Sequence, residues 1–367
     1  MPVASEVYQL IVQKRKTYQQ IRRQGPTVVV IGGTDVGKST LCRTLLNLSA
    51  KDYSPSLFVD LDMGQNELAP PGCFAFARLT KPISIESPDT SLPEPVVFSL
   101  GALTPSPHLL RTYTMLKNVA RHVECARLQT LPHFAAGTVV NTMGWIDGAG
   151  FDIQVETIKA FRADLVICIE CPKVEERLQA MLETLSTDIT SRRSFFSPSP
   201  NPHTITLHSV PKPKNIYVRT RPVRISARWN RFNSYFTRYF PTSHLMTVPF
   251  NFATFHLLPT SSSFQSLQKV TNITQLASKV GHIGAFLLPR LPNTVYPCTP
   301  STLDLADAMS LPTTRFSTTC SFDPVAGFCC LEGIDEEEQT VVFRTPVQFL
   351  PSRMLLLTSI TWNEEAS

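Results

Sequence analysis

The sequence predicts an α/β fold in which a parallel sheet is flanked by helices and followed by a small β-rich domain. Apolar runs alternate with helical patterns through residues 26–240, and residues 241–367 change to short runs separated by turns. Strands that alternate with helices form parallel sheets, because each helix carries the chain back across the sheet. Ligands of such sheets gather at the carboxyl edge of the strands. We therefore expect the functional residues at that edge.

Composition is typical of a globular protein. The 367 residues are 43% hydrophobic and 17% charged, enough for two domains with cores. Nine cysteines without regular spacing, and no signal-like segment, lead us to expect a reducing intracellular compartment. No apolar run approaches the roughly twenty residues of a membrane span, so no membrane partner is expected. The net charge of +5 permits an anionic partner, and arginines concentrate between Arg219 and Arg238.

The first elements surround a glycine-rich motif. Residues 1–25 predict an amphipathic helix, and residues 27–31 predict a buried strand, because this apolar run is too short for a helix. The next residues, GGTDVGKST, have the spacing G-x-x-x-x-G-K-[ST], and a helical pattern follows them. The residues expected to hold phosphate groups are Gly32, Asp35, Val36, Gly37, Lys38, Ser39 and Thr40.

This motif has the chemistry of a phosphate-binding loop. Glycines let successive backbone N–H groups turn toward phosphate oxygens, and the helix that follows adds its positive end. Lys38 can reach the terminal phosphates, and the Ser39 hydroxyl can hold Mg²⁺. A glycine turn that only caps a helix would leave the lysine and hydroxyl residues unexplained. The sequence therefore predicts a P-loop NTPase domain that binds a nucleotide.

Two acids follow the next strand. The run FVDLDMGQ carries Asp60 and Asp62, and alternation along a strand would send both carboxylates to one side, near the phosphates. A carboxylate there can hold Mg²⁺ or its water, or accept a proton from an attacking hydroxyl. The alternative is a pair of acids that merely ends a strand and caps a turn. Gly64 and Gln65 disfavour it, because they keep the backbone close and polar at the same edge.

The remaining elements follow from the same patterns. Strands are predicted at 95–100, 137–142, 164–170 and 204–210, and helices at 109–128 and 151–161. The glycine-rich loop after the 137–142 strand carries Trp145. Residues 184–203 shift to Ser, Thr, Pro and Asn, which predicts a poorly ordered insertion.

Arginines recur every three or four residues between 219 and 231. On a helix, Arg224, Arg228 and Arg231 would share one face, and like charges stacked in this way require an anion. A phosphoryl group in transfer is one candidate, and a solvated basic face is the alternative. Residues 241–367 show nothing that suggests catalysis, so we assign them to interaction or support.

Five stretches together resemble a known family. GGTDVGKSTLCRTLLN, FVDLDMGQNELAPPG, LTPSPH, VVNTMGWIDGAGF and the arginine series resemble, in that order, the phosphate loop, metal and base strand, clasp, tryptophan loop and lid of the Clp and Grc polynucleotide 5′-hydroxyl kinases. The C-terminal run resembles the closing domain of the Clp branch, a subunit of the pre-mRNA cleavage and polyadenylation factor. The resemblance implies a P-loop kinase domain at 26–240 with its lid at 219–238, and a β-rich interaction domain at 241–367.

The resemblance also implies site residues and cofactors. ATP would bind the phosphate loop, with Lys38 bridging the β- and γ-phosphates and Mg²⁺ held by Ser39 and Asp62. Asp62 would be the catalytic base, and Arg221, Arg224 and Arg228 would neutralise the moving phosphoryl group. The residues implied for polynucleotide binding are Gln65, Thr104, Pro105, His108 and Trp145, with Trp145 stacked on the terminal base. His108 departs from the family, which has an asparagine there.

The implied function is ATP-dependent phosphorylation of RNA 5′ ends in the nucleus. The partners implied are protein subunits of the mRNA 3′-end processing or tRNA splicing machinery. Only about 25 residues precede the first strand, so we expect the family's N-terminal β domain, which helps to hold adenine, to be absent. Two alternatives stay open: a catalytically silent, ATP-holding scaffold of the 3′-end processing complex, and a small-metabolite kinase, which the arginines and Trp145 disfavour.

Overall fold

The computed structural model describes most of the chain. The described residues are 2–52, 55–84, 93–129, 136–191, 204–237, 244–258, 267–287, 324–346 and 353–362. The second part of the predicted insertion, residues 192–203, lies outside them.

The first sheet contains seven strands of the described residues. They are β1 (Thr27–Gly32), β2 (Ser56–Asp60), β3 (Cys73–Leu79), β4 (Val96–Ser99), β5 (Gly137–Asn141), β6 (Leu165–Ile169) and β7 (Thr206–Val210), in the order β4-β3-β2-β5-β1-β6-β7. The neighbours β2, β5, β1, β6 and β7 pair in parallel, which confirms the predicted parallel sheet. β3 was not predicted, and it runs antiparallel to β2 and β4.

Helices cover both faces of this sheet. In the described residues they are α1 (Pro2–Gln20), α2 (Lys38–Lys51), α3 (Leu109–Leu128), α4 (Ala149–Ala160), α5 (Pro172–Ser191) and α6 (Arg221–Phe236). Alternate residues of β1 serve opposite layers: Val29 and Ile31 pack with α3, α4 and α5, and Val28 and Val30 with α1, α2 and α6. A strand buried on both faces reads as a continuous apolar run, which is why the sequence predicted it. Among the described residues, every helix is too short or too polar to cross a membrane.

The prediction of a poorly ordered insertion at 184–203 is wrong for residues 184–191. Residues 184–191 continue α5, which ends at Ser191. The apolar positions Leu178 and Leu185 are buried in the core at helical spacing, so packing outweighs the polar composition. Within this turn the Thr187 hydroxyl donates to the carbonyl of Glu183 four residues earlier, so the polar side chain is satisfied on the helix itself.

A second sheet forms the C-terminal region and confirms the predicted β-rich domain. Its strands in the described residues are β8 (His244–Pro249), β9 (Thr254–Leu257), β10 (Gln268–Lys269), β11 (His282–Leu287), β12 (Val325–Asp335), β13 (Thr340–Thr345) and β14 (Met354–Thr361), in the order β10-β9-β14-β11-β12-β13-β8. Phe255, Phe286 and Phe343 are buried at its core.

The two sheets are joined through α6 and through the loop after β4. At the end of α6, Phe236 stacks on Trp362 with ring centroids 4.5 Å apart, and the Tyr235 hydroxyl accepts a hydrogen bond from the Phe328 amide at 2.9 Å. The Ser359 amide donates to the Gly101 carbonyl at 2.9 Å. The second sheet therefore supports two segments that lead to the carboxyl edge of the first.

Asp164 fixes the N-terminal helix to this sheet. Its buried carboxylate accepts hydrogen bonds from the Tyr18 hydroxyl at 2.7 Å, from Arg23 Nη2 at 2.8 Å and from the Thr27 amide at 2.8 Å.

We predict that Asp164→Ala lowers the free energy of unfolding by about 3–5 kcal/mol, because it leaves these donors unpaired. Urea denaturation measures the change. Lys117→Gln, which removes an ion pair with Glu156 at the surface, should cost less than about 1 kcal/mol. Equal losses in the two variants would contradict the prediction.

Candidate functional site

The loops at the carboxyl edge enclose one cavity of about 750 Å³, within the range of small-ligand sites. Its walls come from the loops after β1, β2, β4, β5 and β7 and from α6. The site residues predicted from the sequence that line it are Asp35, Val36, Gly37, Lys38, Ser39, Thr40, Asp62, Gln65, Thr104, Pro105, Trp145, Arg224 and Arg228. Gly32, Arg221 and His108 do not line it.

The phosphate loop ends in an open helix terminus. Gly37 has φ +97°, a left-handed conformation that favours glycine, and no side chain caps the helix that follows it. Lys38 is 6% exposed, and its Nζ donates to the Gly33 carbonyl at 2.6 Å. Burial lowers the pKa of Lys38, and nearby Asp62 opposes this shift. Uncapped N–H groups and a buried ammonium fit the phosphate groups of a nucleotide.

A series of hydrogen bonds between polar side chains connects this loop to the sheet. Asp60 ends β2 and is fully buried, and its Oδ1 accepts from Asn141 Nδ2 at 3.0 Å. The same nitrogen of Asn141 donates to Ser39 Oγ at 3.3 Å. Burial, with Glu67 and Asp62 nearby, raises the pKa of Asp60 to about 8. We had not predicted Asn141, although an amide at the end of a buried strand was a visible signal.

Asp62 lies in a turn, not on a strand. β2 ends at Asp60, so the predicted alternation of the two acids along one strand is wrong. The chain turns because Asp62 Oδ1 accepts from the Gly64 amide at 3.0 Å and from the Gln65 amide at 3.1 Å. Oδ2 takes part in neither bond. Asp62 and Ser39 line the same cavity and are the hard oxygen donors that Mg²⁺ prefers, so these residues fit that ion.

The arginines of α6 form one face, as predicted for a helix. Arg224 Nη2 contacts Asp35 Oδ2 at 2.7 Å, Arg228 Nε donates to the Gly64 carbonyl at 3.0 Å, and Arg231 donates to the Glu67 carbonyl. Arg224 therefore meets an anion, the Asp35 carboxylate, whereas Arg228 and Arg231 donate to backbone carbonyl oxygens. Burial alone would raise the pKa of Asp35, but hydrogen bonds from Arg224 and from Arg219 hold it below its usual range.

Arg219 takes the position that the sequence had given to Arg221. Arg221 is the first residue of α6, and its exposed side chain lies outside the cavity. Arg219 precedes the helix, lines the cavity and donates from Nε to Asp35 Oδ1 at 2.9 Å. Arg221 had been implied by the family resemblance, and helical spacing does not apply to a residue upstream of the helix, so only its place in the arginine series pointed to Arg219.

The residues predicted to bind a polymer end are only partly brought together. Gln65 is tied to the arginine series, because its Oε1 accepts from Arg219 Nη1 at 2.9 Å and its Nε2 donates to the Arg224 carbonyl at 3.2 Å. His108 immediately precedes α3 and lies outside the cavity. Burial, and the nearby charge of Arg111, lower the pKa of His108.

The tryptophan loop approaches both α4 and the phosphate loop closely. A Cβ at Gly150 would lie 2.5 Å from Trp145 Cγ, so the half-buried indole packs directly on the backbone of α4. Gln154 Nε2 donates to the Trp145 carbonyl at 3.2 Å. Thr34 Oγ1 of the phosphate loop donates to the Gly144 carbonyl at 3.5 Å. Trp145 is thereby held at the wall of the cavity beside the phosphate loop.

One wall of the cavity was missed by the sequence analysis. Residues after β7 contribute Pro213, Asn215, Ile216 and Tyr217 to the lining. Ile216 Cδ1 lies 3.3 Å from where a Cβ of Gly37 would stand, so this segment covers the turn of the phosphate loop. No motif marked the segment, because its contact with the loop depends on the position of β7 at the sheet edge.

A family model and known relatives match this chain. The model described as mRNA cleavage and polyadenylation factor CLP1 P-loop matches residues 32–238. A CLP1 homologue of Dictyostelium discoideum is 27% identical over 383 residues, covering 99% of this chain and 74% of the relative. A polyribonucleotide 5′-hydroxyl-kinase Clp1 of Gallus gallus is 27% identical over 365 residues, covering 95% of this chain and 75% of the relative.

A solved structure shares the fold. It concerns an extended interface between Pcf11p and Clp1p and ATP loss in a point mutant, and it superposes with a TM-score of 0.74 at 17% identity. The likeness covers 99% of this chain and 80% of the solved one. The two-sheet architecture is therefore shared along nearly the whole chain.

The contact between Gly144 and Thr34 yields a testable prediction. A methyl group at 144 would lie 2.6 Å from Thr34 Oγ1 and 2.8 Å from Thr34 Cα, so the two loops would have to separate. We predict that Gly144→Ala lowers the free energy of unfolding by about 1–3 kcal/mol in urea titration. Gly333→Ala is the matched control, because nothing lies within 4 Å of the added methyl group. We expect its effect to stay within about 0.5 kcal/mol. A neutral Gly144→Ala would show that the loops do not need this contact.

Proposed function

The chain belongs to the family of the mRNA cleavage and polyadenylation factor CLP1 P-loop, and from that premise we propose that it is an ATP-dependent polynucleotide kinase that phosphorylates the 5′-hydroxyl end of RNA. One observation carries the proposal: Lys38, Asp62, Trp145 and two lid arginines, Arg224 and Arg228, line a single cavity. The names of relatives in Gallus gallus and in other animals support the reaction class.

The phosphate loop would hold the donor. Residues 35–40 would receive the triphosphate on backbone N–H groups at the start of α2, with Lys38 contacting the terminal phosphates. When bound at Ser39 and Asp62, Mg²⁺ would offset the negative charge of the phosphates. Lys38 would have to leave the Gly33 carbonyl to reach a phosphate, and its low exposure means that little water competes for the new bond.

Asp62 would serve as the general base. Its Oδ1 is held by two backbone amides, which fixes the direction of the carboxylate and leaves Oδ2 to accept a proton. The 5′-hydroxyl oxygen forms the new bond to the γ-phosphorus, the bond from that phosphorus to the β–γ bridging oxygen breaks, and the hydroxyl proton passes to Asp62. Arg219 and Arg224 would offset the charge on the transferred group.

Trp145 would receive the terminal base of the acceptor. Base stacking on an aromatic ring is tolerant of sequence, because every base has a π face. The indole is supported from behind by the Gly150 backbone, so its other face has a rigid backing. This support, and the arginines that line the same cavity, suit a polymer end better than a small metabolite.

The relatives also suggest a cellular setting. The family name refers to an mRNA cleavage and polyadenylation factor, and the related solved structure contains an interface of Clp1p with Pcf11p. We propose that this protein acts with subunits of the mRNA 3′-end processing machinery, or of tRNA splicing, and therefore in the nucleus.

A specific observation favours a second candidate, a silent ATP-holding scaffold of the same machinery. Arg219 and Arg224 already pair with Asp35, and Lys38 Nζ already binds the Gly33 carbonyl. A site with these groups satisfied internally suits retention of a nucleotide without turnover. Catalysis requires at least Lys38 to exchange its partner.

A transfer assay separates the two candidates. We predict that the protein transfers label from γ-labelled ATP to a 5′-hydroxyl oligoribonucleotide. Lys38→Ala and Asp62→Asn should each lower the rate by about 100-fold or more, because one removes a phosphate contact and the other the base. Arg219→Ala should lower it more than Arg221→Ala, whose side chain lies outside the cavity.

Wild-type transfer no faster than that of Asp62→Asn would exclude the kinase. The scaffold would then be supported by ATP that co-purifies with the protein and by partner capture that is indifferent to Asp62→Asn.

Trp145 yields a prediction about the acceptor. We expect Trp145→Ala to weaken binding of a 5′-hydroxyl oligoribonucleotide by about 1–3 kcal/mol, the stacking free energy of one base. Trp145→Phe should retain most of the affinity. Gly150→Ala should reproduce part of the loss, because its methyl group would displace the indole. Fluorescence anisotropy measures oligonucleotide binding, and ATP affinity in the same variants is the control. Equal competition by a mononucleoside and by the oligonucleotide would instead indicate a small-metabolite kinase.

A further inference from the structure

We propose that Asp35 is a positioning residue whose side chain anchors the lid arginines over the phosphate loop and does not itself cradle phosphate. The inference rests on the proposed kinase function for its catalytic consequence. The anchoring itself is a property of the fold and can be tested without turnover.

The Asp35 carboxylate is saturated by arginine donors. Oδ1 accepts from Arg219 Nε at 2.9 Å and also lies 2.9 Å from Arg219 Nη2. Oδ2 accepts from the Arg219 amide at 3.0 Å and from Arg224 Nη2 at 2.7 Å. A carboxylate offers about four lone-pair sites, and these contacts use that number. With its side chain 3% exposed, Asp35 has no capacity left for a metal-bound water or a substrate hydroxyl.

Charge supports the same conclusion. An acid inside a phosphate loop would repel a triphosphate unless cations neutralise it. Arg219 and Arg224 provide two positive charges against one negative charge, so the cluster as a whole remains attractive to phosphate. Asp35 therefore does not contribute attraction for the nucleotide. Asp35 determines the positions of the guanidinium groups of Arg219 and Arg224.

The backbone at Asp35 is shaped for this contact. Its φ of +54° lies in the left-handed region, which is uncommon outside glycine but is tolerated by Asp and Asn. Such conformations persist only where the surroundings hold them, here the contacts with Arg219 and Arg224. Asparagine accepts the same backbone, so Asp35→Asn removes the charge without adding strain.

Gln65 completes the anchor from the other side. Its side chain accepts from Arg219 Nη1 and donates to the Arg224 carbonyl, so the loop after β2 holds the same two residues. Arg224 Nε, in contrast, is buried and makes no hydrogen bond within the described part of the chain. The bond from Nη2 to Asp35 therefore fixes the guanidinium of Arg224 while its Nε stays unpaired among the described residues.

The proposal predicts opposite effects on turnover and on nucleotide affinity. In Asp35→Asn, kcat should fall by about 10- to 100-fold, because the arginines lose their fixed position. The affinity for ATP should stay equal or rise, because a negative charge leaves the phosphate site. A phosphate-cradling residue would instead lose affinity with its kcat maintained, as a ligand to the bound ground state. Glu332→Gln, which breaks the ion pair with Arg344 in the second sheet, is the matched control and should change neither quantity.

A second measurement is independent of activity. Amide hydrogen exchange of the peptide that contains Arg219 should accelerate in Asp35→Ala, because the Arg219 amide donates directly to Asp35. Exchange in α1, whose Tyr18 hydroxyl bonds Asp164 and takes no part in the Asp35 contacts, should stay unchanged. In a double-mutant cycle on stability, Arg224→Met should cost less in the Asp35→Asn background than in wild type.

These outcomes separate failure of the inference from failure of the kinase. If wild type transfers no phosphate but the exchange and the cycle behave as predicted, the anchor stands and the kinase is excluded. If wild type is active, and Asp35→Asn weakens ATP binding as strongly as Lys38→Ala with an unchanged kcat, Asp35 is a nucleotide ligand and the anchor is excluded. Unchanged Arg219 exchange together with additive stability effects would also overturn it.

Discussion

The register of three neighbouring parallel strands is the constraint on which the site depends. In this register Asp60 of β2 and Val30 of β1 both pair with Asn141 of β5. Asn141 therefore reaches Asp60 on one side and Ser39 on the other. A slip of one residue would turn Asn141 into the opposite layer and break both bonds. The hydrogen bonds of Asn141 thus fix the position of the phosphate loop relative to the acidic turn after β2.

Close backbone approach is the second requirement. Loops after different strands converge on one cavity only if they come nearer than side chains normally allow. Gly144 permits this close approach to Thr34, and Gly150 permits it beneath Trp145. At Gly37 a left-handed turn brings the phosphate loop under Ile216. These glycines are not interchangeable spacers, since each permits contact with a different wall of the cavity.

Most of the fold and much of the site could be predicted from the sequence, for physical reasons that differ by residue. Buried parallel strands are continuous apolar runs, and the phosphate loop has a fixed spacing, so β1 and Lys38 were identifiable. β3 was missed although Cys73–Leu79 is a mostly apolar run, and its antiparallel pairing leaves no mark in the sequence. Arg219 and Asn141 were missed because their roles depend on contacts with residues 184 and 81 positions away. The amide at the end of a buried strand was visible in the sequence, but its distant partners were not.

The β-rich domain carries no catalytic motif, and yet it shapes the cavity. Helix α6 is held at both ends: its arginines contact the phosphate loop, and Phe236 packs on Trp362 of the second sheet. The same sheet binds the Gly101 carbonyl just before the cavity-lining residues Thr104 and Pro105. Two walls of the cavity are therefore held in place by contacts with the second sheet. The position of the arginines at the start of α6 therefore depends on contacts with both sheets.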